Sequence, residues 1–193
     1  QIISSQKKAG DIFLPILMKG DLREFDQKMP YIHLHRLQVS RLTRLSTFES
    51  GPLLAQEYLS NHGIALVFER HFEKTYLDGA AMLDGEAPIV ALTLRHDRID
   101  NFWFVLRHEM EHVLHRHGLE RIVIDTELQG EKAGVGDGVA DDERIANAAA
   151  AEFCVPAKVM DAFVARKAPF FAERDILALA SAIKVHPGLV AGQ

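Results

Sequence analysis

Cysteine is almost absent from this chain of 193 residues, since Cys154 is the only one and no internal disulfide can form. Long apolar runs are also absent, and none approaches the roughly 18 residues of a membrane span. No basic stretch is followed by an apolar core and a cleavage site, as in a secretory signal. We therefore expect a reducing, cytoplasmic compartment and no membrane contact. Because the sequence starts at Gln1 and not at Met, we also expect a segment upstream.

A basic surplus is missing as well. The formal net charge is −5, and it is uneven, because residues 1–46 carry +4 and the rest of the chain carries −9. Phosphate binding needs a basic face, so the acidic body is a poor nucleic-acid platform by itself. Hydrophobic residues make up 48% and charged residues 25%, as in ordinary globular domains.

The order of the elements predicts an α+β fold. Residues 1–49 are interpreted as a lead segment or linker, and residues 50–193 as one domain. Strand patterns at 64–68, 80–83 and 88–94 predict a small antiparallel three-stranded sheet, a meander, with a further short strand near 121–125. Helical patterns follow at about 100–117, 141–154, 157–165 and 171–184, and Asp97 or Asp100 is the expected N-cap of the first of these.

The chemistry-bearing motif is His-Glu-Met-Glu-His at residues 108–112. On a helix, His108 and His112 lie one turn apart on the same face, so both imidazoles can reach one cation at about 2 Å. Glu109 is rotated by about 100°, where its carboxylate can take a proton from the metal's water without binding the metal. This spacing predicts a zinc hydrolase in which Glu109 is the general base.

A catalytic zinc usually has a third protein ligand. A third histidine ten residues after His112 is excluded, because position 122 is Ile. Glu143, at the start of the 141–154 helix, is the best candidate, with Asp141 and Asp142 as rivals. Asn147 lies four residues later on the same face and can hold a ligand imidazole or Glu143 itself by a hydrogen bond.

Together these segments resemble the ImmA/IrrE family of metallopeptidases. The resemblance rests on HEMEHVLHRH at 108–117 and on ERIANAAAAEFCVP at 143–156, and it covers about residues 50–165. The stretches at 95–104 and 186–192 resemble the branch that follows a helix-turn-helix in antitoxin-like regulators. Ala149 and the Cys154-Val155 pair depart from the residues usual in the family, which affects the expected shape of the pocket.

The resemblance implies a zincin-like core in which His108, His112 and Glu143 bind Zn²⁺. It also implies an upstream DNA-binding domain, and proteolysis of a regulatory protein such as a repressor or toxin. The alternative is a sensor or antitoxin module that keeps the pocket but cleaves nothing. Contact with DNA is expected only through that upstream domain, and a homodimer is compatible with the sequence.

Three further side chains are candidates to line the cleft or stabilise the transition state. His96 precedes the metal-binding helix, and Tyr58 and Tyr76 offer phenolic donors. Cys154 is interpreted as a buried, inert thiol and not as a nucleophile.

Overall fold

The computed structural model describes residues 39–70, 77–84, 87–115, 123–126 and 141–193. In these ranges the chain forms seven helices and four strands, and the predicted α+β class is confirmed. The helices are α1 (Val39–Leu45), α2 (Gly51–Ser60), α3 (Ile99–Leu114), α4 (Asp141–Cys154), α5 (Ala157–Lys167), α6 (Glu173–Ile183) and α7 (Pro187–Ala191). The strands are β1 (Ala65–Glu69), β2 (Leu77–Asp84), β3 (Ala87–Thr93) and β4 (Val123–Thr126).

The sheet has four strands in the order β1-β3-β2-β4. Strand β2 runs antiparallel to both β3 and β4, whereas β1 runs parallel to β3. The predicted antiparallel three-stranded meander is therefore wrong in the placement of β1. The prediction assumed that strands close in sequence pair as hairpins, which holds for β2 and β3, where Asp84 pairs with Ala87. It fails for β1, which does not pair with β2, the next strand in the sequence, but with β3.

Helix α3 is the central element of the core. Thirteen of its 16 residues are buried, and it packs against β2, β3, α4 and α7. Its apolar side chains, with Trp103 and Leu106 fully buried, belong to one cluster that also includes Leu59, Leu92 and Leu189. Polar side chains buried in such a helix are costly unless they make compensating interactions, so the buried His108, Glu109 and His112 require such contacts.

The start of α3 differs from the prediction. The N-cap residue is Arg98, with extended backbone and no side-chain capping bond, and neither Asp97 nor Asp100 occupies that position. Asp97 has a left-handed φ of 45°, which an N-cap does not adopt. Asp100 lies inside the first turn, where its carboxylate accepts a hydrogen bond from Arg98 Nε at 3.0 Å. The helix ends at Leu114, and the predicted stop at Gly118 lies outside the described residues.

The C-terminal helices follow the predicted pattern closely, and one short helix was not predicted. Helices α4, α5 and α6 occupy the predicted stretches within three residues at each end. Helix α7 follows His186, whose ring Nδ1 accepts a hydrogen bond from the Gly188 backbone. Helix α1 lies in the segment that the sequence assigned to a lead or linker, yet its Leu42 side chain is fully buried in the common core.

In the described ranges, no helix combines the length and apolar character that a membrane crossing requires.

Candidate metal centre

Two helices bring the predicted ligands together. Helix α3 carries His108 and His112 four residues apart, and both side chains are fully buried. Helix α4 packs along α3 and contributes Glu143 from its first turn. Ala146 and Ala150 of α4 are fully buried, and they neighbour Glu143 and Asn147 in the helical repeat. The side chains of His108, His112 and Glu143 form a group that could hold a metal ion.

Distances between the candidate ligand atoms fit a single small ion. The two histidine Nε2 atoms lie 3.1 Å apart, and the Glu143 carboxylate oxygens lie 3.3 Å from His108 Nε2 and 3.6 Å from His112 Nε2. Two atoms that each bind one tetrahedral metal at about 2.1 Å are separated by about 3.4 Å. Each of these separations is therefore close to that of two ligands on one tetrahedral ion.

Asn147 determines which nitrogen of His108 faces the ligand group. The ring Nδ1–H of His108 donates a hydrogen bond to Asn147 Oδ1 at 3.0 Å. Because that nitrogen carries the proton, the lone pair of the neutral ring is on Nε2, which points toward His112 and Glu143. A metal-binding histidine is usually oriented in this way through its other nitrogen. Of the two interactions suggested for Asn147, the structure shows the one with the imidazole.

The rival acidic side chains at the start of α4 have other contacts. Asp142 Oδ1 accepts a hydrogen bond from the Glu143 backbone N–H at 3.2 Å, and Asp141 forms an ion pair with Arg144 on the surface. Neither belongs to the group that could hold a metal. The structure therefore brings Glu143 and not Asp141 or Asp142 to the two histidines.

Glu109 projects toward the sheet, whereas His108 contacts α4. The Glu109 side chain is fully buried and lies against the backbone of Gly79 in β2, next to Val105. Gly79 was not singled out from the sequence, where the second strand was predicted to begin only at residue 80. A glycine inside a strand pattern is the signal that indicates a close approach to the backbone.

Two of the remaining candidates, His96 and Tyr58, are not members of the ligand group. His96 follows β3, with Nε2 at 4.0 Å from Asp78 Oδ1, and it is not part of the group that could hold a metal. Tyr58 lies on α2, where its ring packs on His62 with centroids 4.5 Å apart. Tyr76 lies outside the described residues.

Cys154 ends α4 in the core, at 1% exposure. Burial, together with the smaller effect of the nearby negative charge of Asp100, raises the pKa of its thiol to about 12. A thiol in this environment is a poor nucleophile, so the structure supports the inert role that the sequence predicted.

Comparison with known proteins gives no further identification. No protein-family model matches the chain. A search of curated proteins finds no significant match.

Proposed function

We propose that this chain is a zincin-like metallopeptidase domain of the ImmA/IrrE family, which hydrolyses a peptide bond in a regulatory protein. The observation that carries the proposal is the convergence of His108, His112 and Glu143, with the His108 ring oriented by Asn147. Two imidazoles and one carboxylate from an HExxH helix and a following helix are the ligand set of a peptidase zinc.

The donor set favours zinc over the hard cations. Two imidazole nitrogens suit Zn²⁺, whereas Ca²⁺ and Mg²⁺ prefer shells made of oxygen ligands. Three protein ligands leave one coordination position open, which distinguishes a catalytic zinc site from a closed structural one. When bound there, zinc supplies Lewis-acid activation of the scissile carbonyl and of water.

Glu109 is the group that we assign to proton transfer. It follows His108 directly in α3, and its carboxylate is buried beside β2. In the proposed reaction Glu109 accepts a proton from the attacking water and returns it to the leaving amine, so the carboxylate ends in its starting state. A metal site with only a structural role has no need for a buried carboxylate at this position, and this favours the enzyme over the non-catalytic sensor.

The sheet suggests where a peptide substrate lies. Strand β4 is at the end of the strand order, next to β2, whose Gly79 contacts Glu109. Among the described strands, β4 is the outer one next to β2, so an extended peptide that adds to its outer edge would lie at the end of the sheet nearer to Gly79 and Glu109. We propose that the substrate is an extended segment of a repressor or toxin in the cytoplasm, and that an upstream DNA-binding domain links cleavage to transcription.

Hydrolysis by the zinc-loaded protein tests this function directly. Wild type and Glu109→Gln, each loaded with one equivalent of zinc, are incubated with β-casein and with proteins encoded beside this one, and fragments are identified by mass spectrometry. We expect fragments from wild type only, and their loss when a chelator is added. Glu109→Gln keeps the side-chain volume and all three ligands, so it is the matched control.

The opposite result supports the alternative function. If wild type binds zinc but releases no more fragments than Glu109→Gln from any of these proteins, the peptidase proposal is wrong. The site would then belong to a sensor or antitoxin module in which metal or ligand binding controls the upstream domain.

A further inference from the structure

Strand β2 contains a glycine whose missing side chain makes room for Glu109. A Cβ atom placed on Gly79 would lie 2.8 Å from Glu109 Cγ and nearer still to Glu109 Oε1. It would also lie 2.8 Å from Val105 Cγ1, one turn earlier on α3. In protein structures a Cβ atom essentially never lies within 3.0 Å of a heavy atom to which it is not bonded. A residue with a side chain therefore fits at position 79 only if Glu109 or Val105 moves.

The backbone at Gly79 has little freedom to move away. Gly79 pairs with Leu92 on β3 and with Asp125 on β4, although the pairing with β4 shifts register between Leu77 and Gly79. The preceding residues are fixed as well, because the Thr93 hydroxyl donates to the Leu77 carbonyl at 2.5 Å. Arg95 also lies 3.5 Å from the buried carboxylate of Asp78. Contacts within the sheet therefore limit the space beside Gly79, and the Glu109 side chain of α3 occupies that space.

We propose that Gly79 is a positioning residue for Glu109, because only the absence of a side chain at this point allows the carboxylate to lie against β2. The catalytic consequence of this inference rests on the proposed function, whereas the packing relation does not. The group that could hold the metal consists of His108, His112 and Glu143 and does not include Glu109, and the close contacts of Gly79 are with Glu109 and Val105. A methyl group at position 79 should therefore displace Glu109 and leave metal binding intact.

A double-mutant cycle tests the packing relation without measuring activity. Gly79→Ala is expected to lower the Tm by roughly 3–10 °C, as overpacking in a domain of this size does. Adding Glu109→Asp, which shortens the side chain by one methylene, should recover at least half of that loss. Adding Glu109→Gln, which has the same length as Glu109, should recover none. Val105→Ala removes the other close contact, and its recovery measures the part of the loss that arises from Val105 and not from Glu109.

Metal content and kinetics then separate positioning from general damage. Zinc per chain in Gly79→Ala should equal that of wild type. The kcat for a peptide that wild type cleaves should fall by about 100-fold, since a displacement of about 1 Å in a reacting group costs that much. The KM should change less than about twofold, because Gly79 acts on the base and not on substrate binding.

Three outcomes would overturn the inference. They are an unchanged Tm and kcat in Gly79→Ala, equal recovery by Asp and Gln at position 109, or loss of zinc together with activity. If Gly79→Ala alone does not fold, recovery of folded protein in Gly79→Ala/Glu109→Asp supports the inference, and its failure to fold opposes it. If wild type cleaves no peptide, the proposed function fails, while the coupling between positions 79 and 109 still decides the packing relation.

Discussion

The bond between His108 and Asn147 is the most informative single contact in the site. It joins Nδ1 of a buried imidazole to an amide oxygen at 3.0 Å, and it leaves Nε2 facing the other candidate ligands. Partners of this kind are often worth a factor of about 10–100 in metal affinity.

Asn147→Leu should therefore weaken zinc binding by roughly 10–100-fold, because the side chain keeps its approximate size but loses the acceptor. Asn147→Asp keeps an oxygen acceptor at the same position and should stay close to wild type. Competition titration with a chromophoric zinc chelator measures both. Equal affinity in wild type and Asn147→Leu would show that the imidazole is oriented without this bond.

Cys154 should be inert in the native protein. With a pKa of about 12, on the order of one thiol in 10⁵ is ionised at pH 7, and only the thiolate reacts with alkylating reagents. Iodoacetamide at pH 8, followed by mass spectrometry, should label the unfolded chain rapidly and the native chain far more slowly. Rapid native labelling would mean that the end of α4 opens readily or that the thiol is exposed.

At the scale of single residues, the sequence could place the side chains that depend on helical spacing. His108, Glu109 and His112 follow from the period of one helix, and the four-residue spacing between Glu143 and Asn147 follows from another. The choice between Glu143 and its neighbours depends on the rotation of α4 against α3, which the sequence does not encode locally. The role of Gly79 could not be predicted, because it depends on a contact with Glu109, which lies 30 residues later in the chain and on a different element.

Among the elements, the pair α3 and α4 determines the site. The two helices pack along each other. The fully buried alanines at positions 146 and 150 neighbour Glu143 and Asn147 in the helical repeat of α4, and those two side chains contact His108 on α3. Glu143 and Asn147 flank Ala146 on the same helix, so the spacing of the helices also sets the distance from Glu143 to the histidines.

A larger side chain in this interface should separate the helices. Ala146→Leu is expected to cost about 1–3 kcal/mol of stability by overpacking and to weaken zinc binding, because Glu143 moves away from His108 and His112. Ala148→Leu is the matched control, since position 148 is exposed and the change there should stay within about 0.5 kcal/mol. Urea unfolding and zinc titration of both variants measure these effects. Equal zinc affinity in the two variants would contradict the role of the close helix contact.

Prediction of elements was more successful for helices than for the sheet. Helices α4, α5 and α6 have apolar periodicity or alanine-rich faces, and local sequence is sufficient to locate them. Strand partners are set by pairing across the fold, and the parallel pairing of β1 with β3 has no local signal in residues 64–69. The short helix α7 was not predicted, although it begins with a histidine N-cap followed by a proline, which is a typical start of a helix.

In the whole molecule, metal binding and folding should be coupled. The ligands come from α3 and α4, which the native fold alone holds together, so an ion that binds them stabilises the native state. Zinc at 100 times its dissociation constant should add about 2.7 kcal/mol, or roughly 5–11 °C in Tm for a chain of this size. His112→Ala should show no such shift in the same thermal scans. A shift of equal size in that variant would indicate that zinc binds elsewhere.

Zinc content is the measurement that tests the central claim most directly. Wild type, Glu109→Gln, Glu143→Gln and Asp142→Asn are supplied with zinc, dialysed without chelator and measured by elemental analysis. We predict about one zinc per chain in wild type, Glu109→Gln and Asp142→Asn, and close to none in Glu143→Gln. Wild type that remains empty, or a loss in Asp142→Asn as large as in Glu143→Gln, would contradict a metal centre formed by His108, His112 and Glu143.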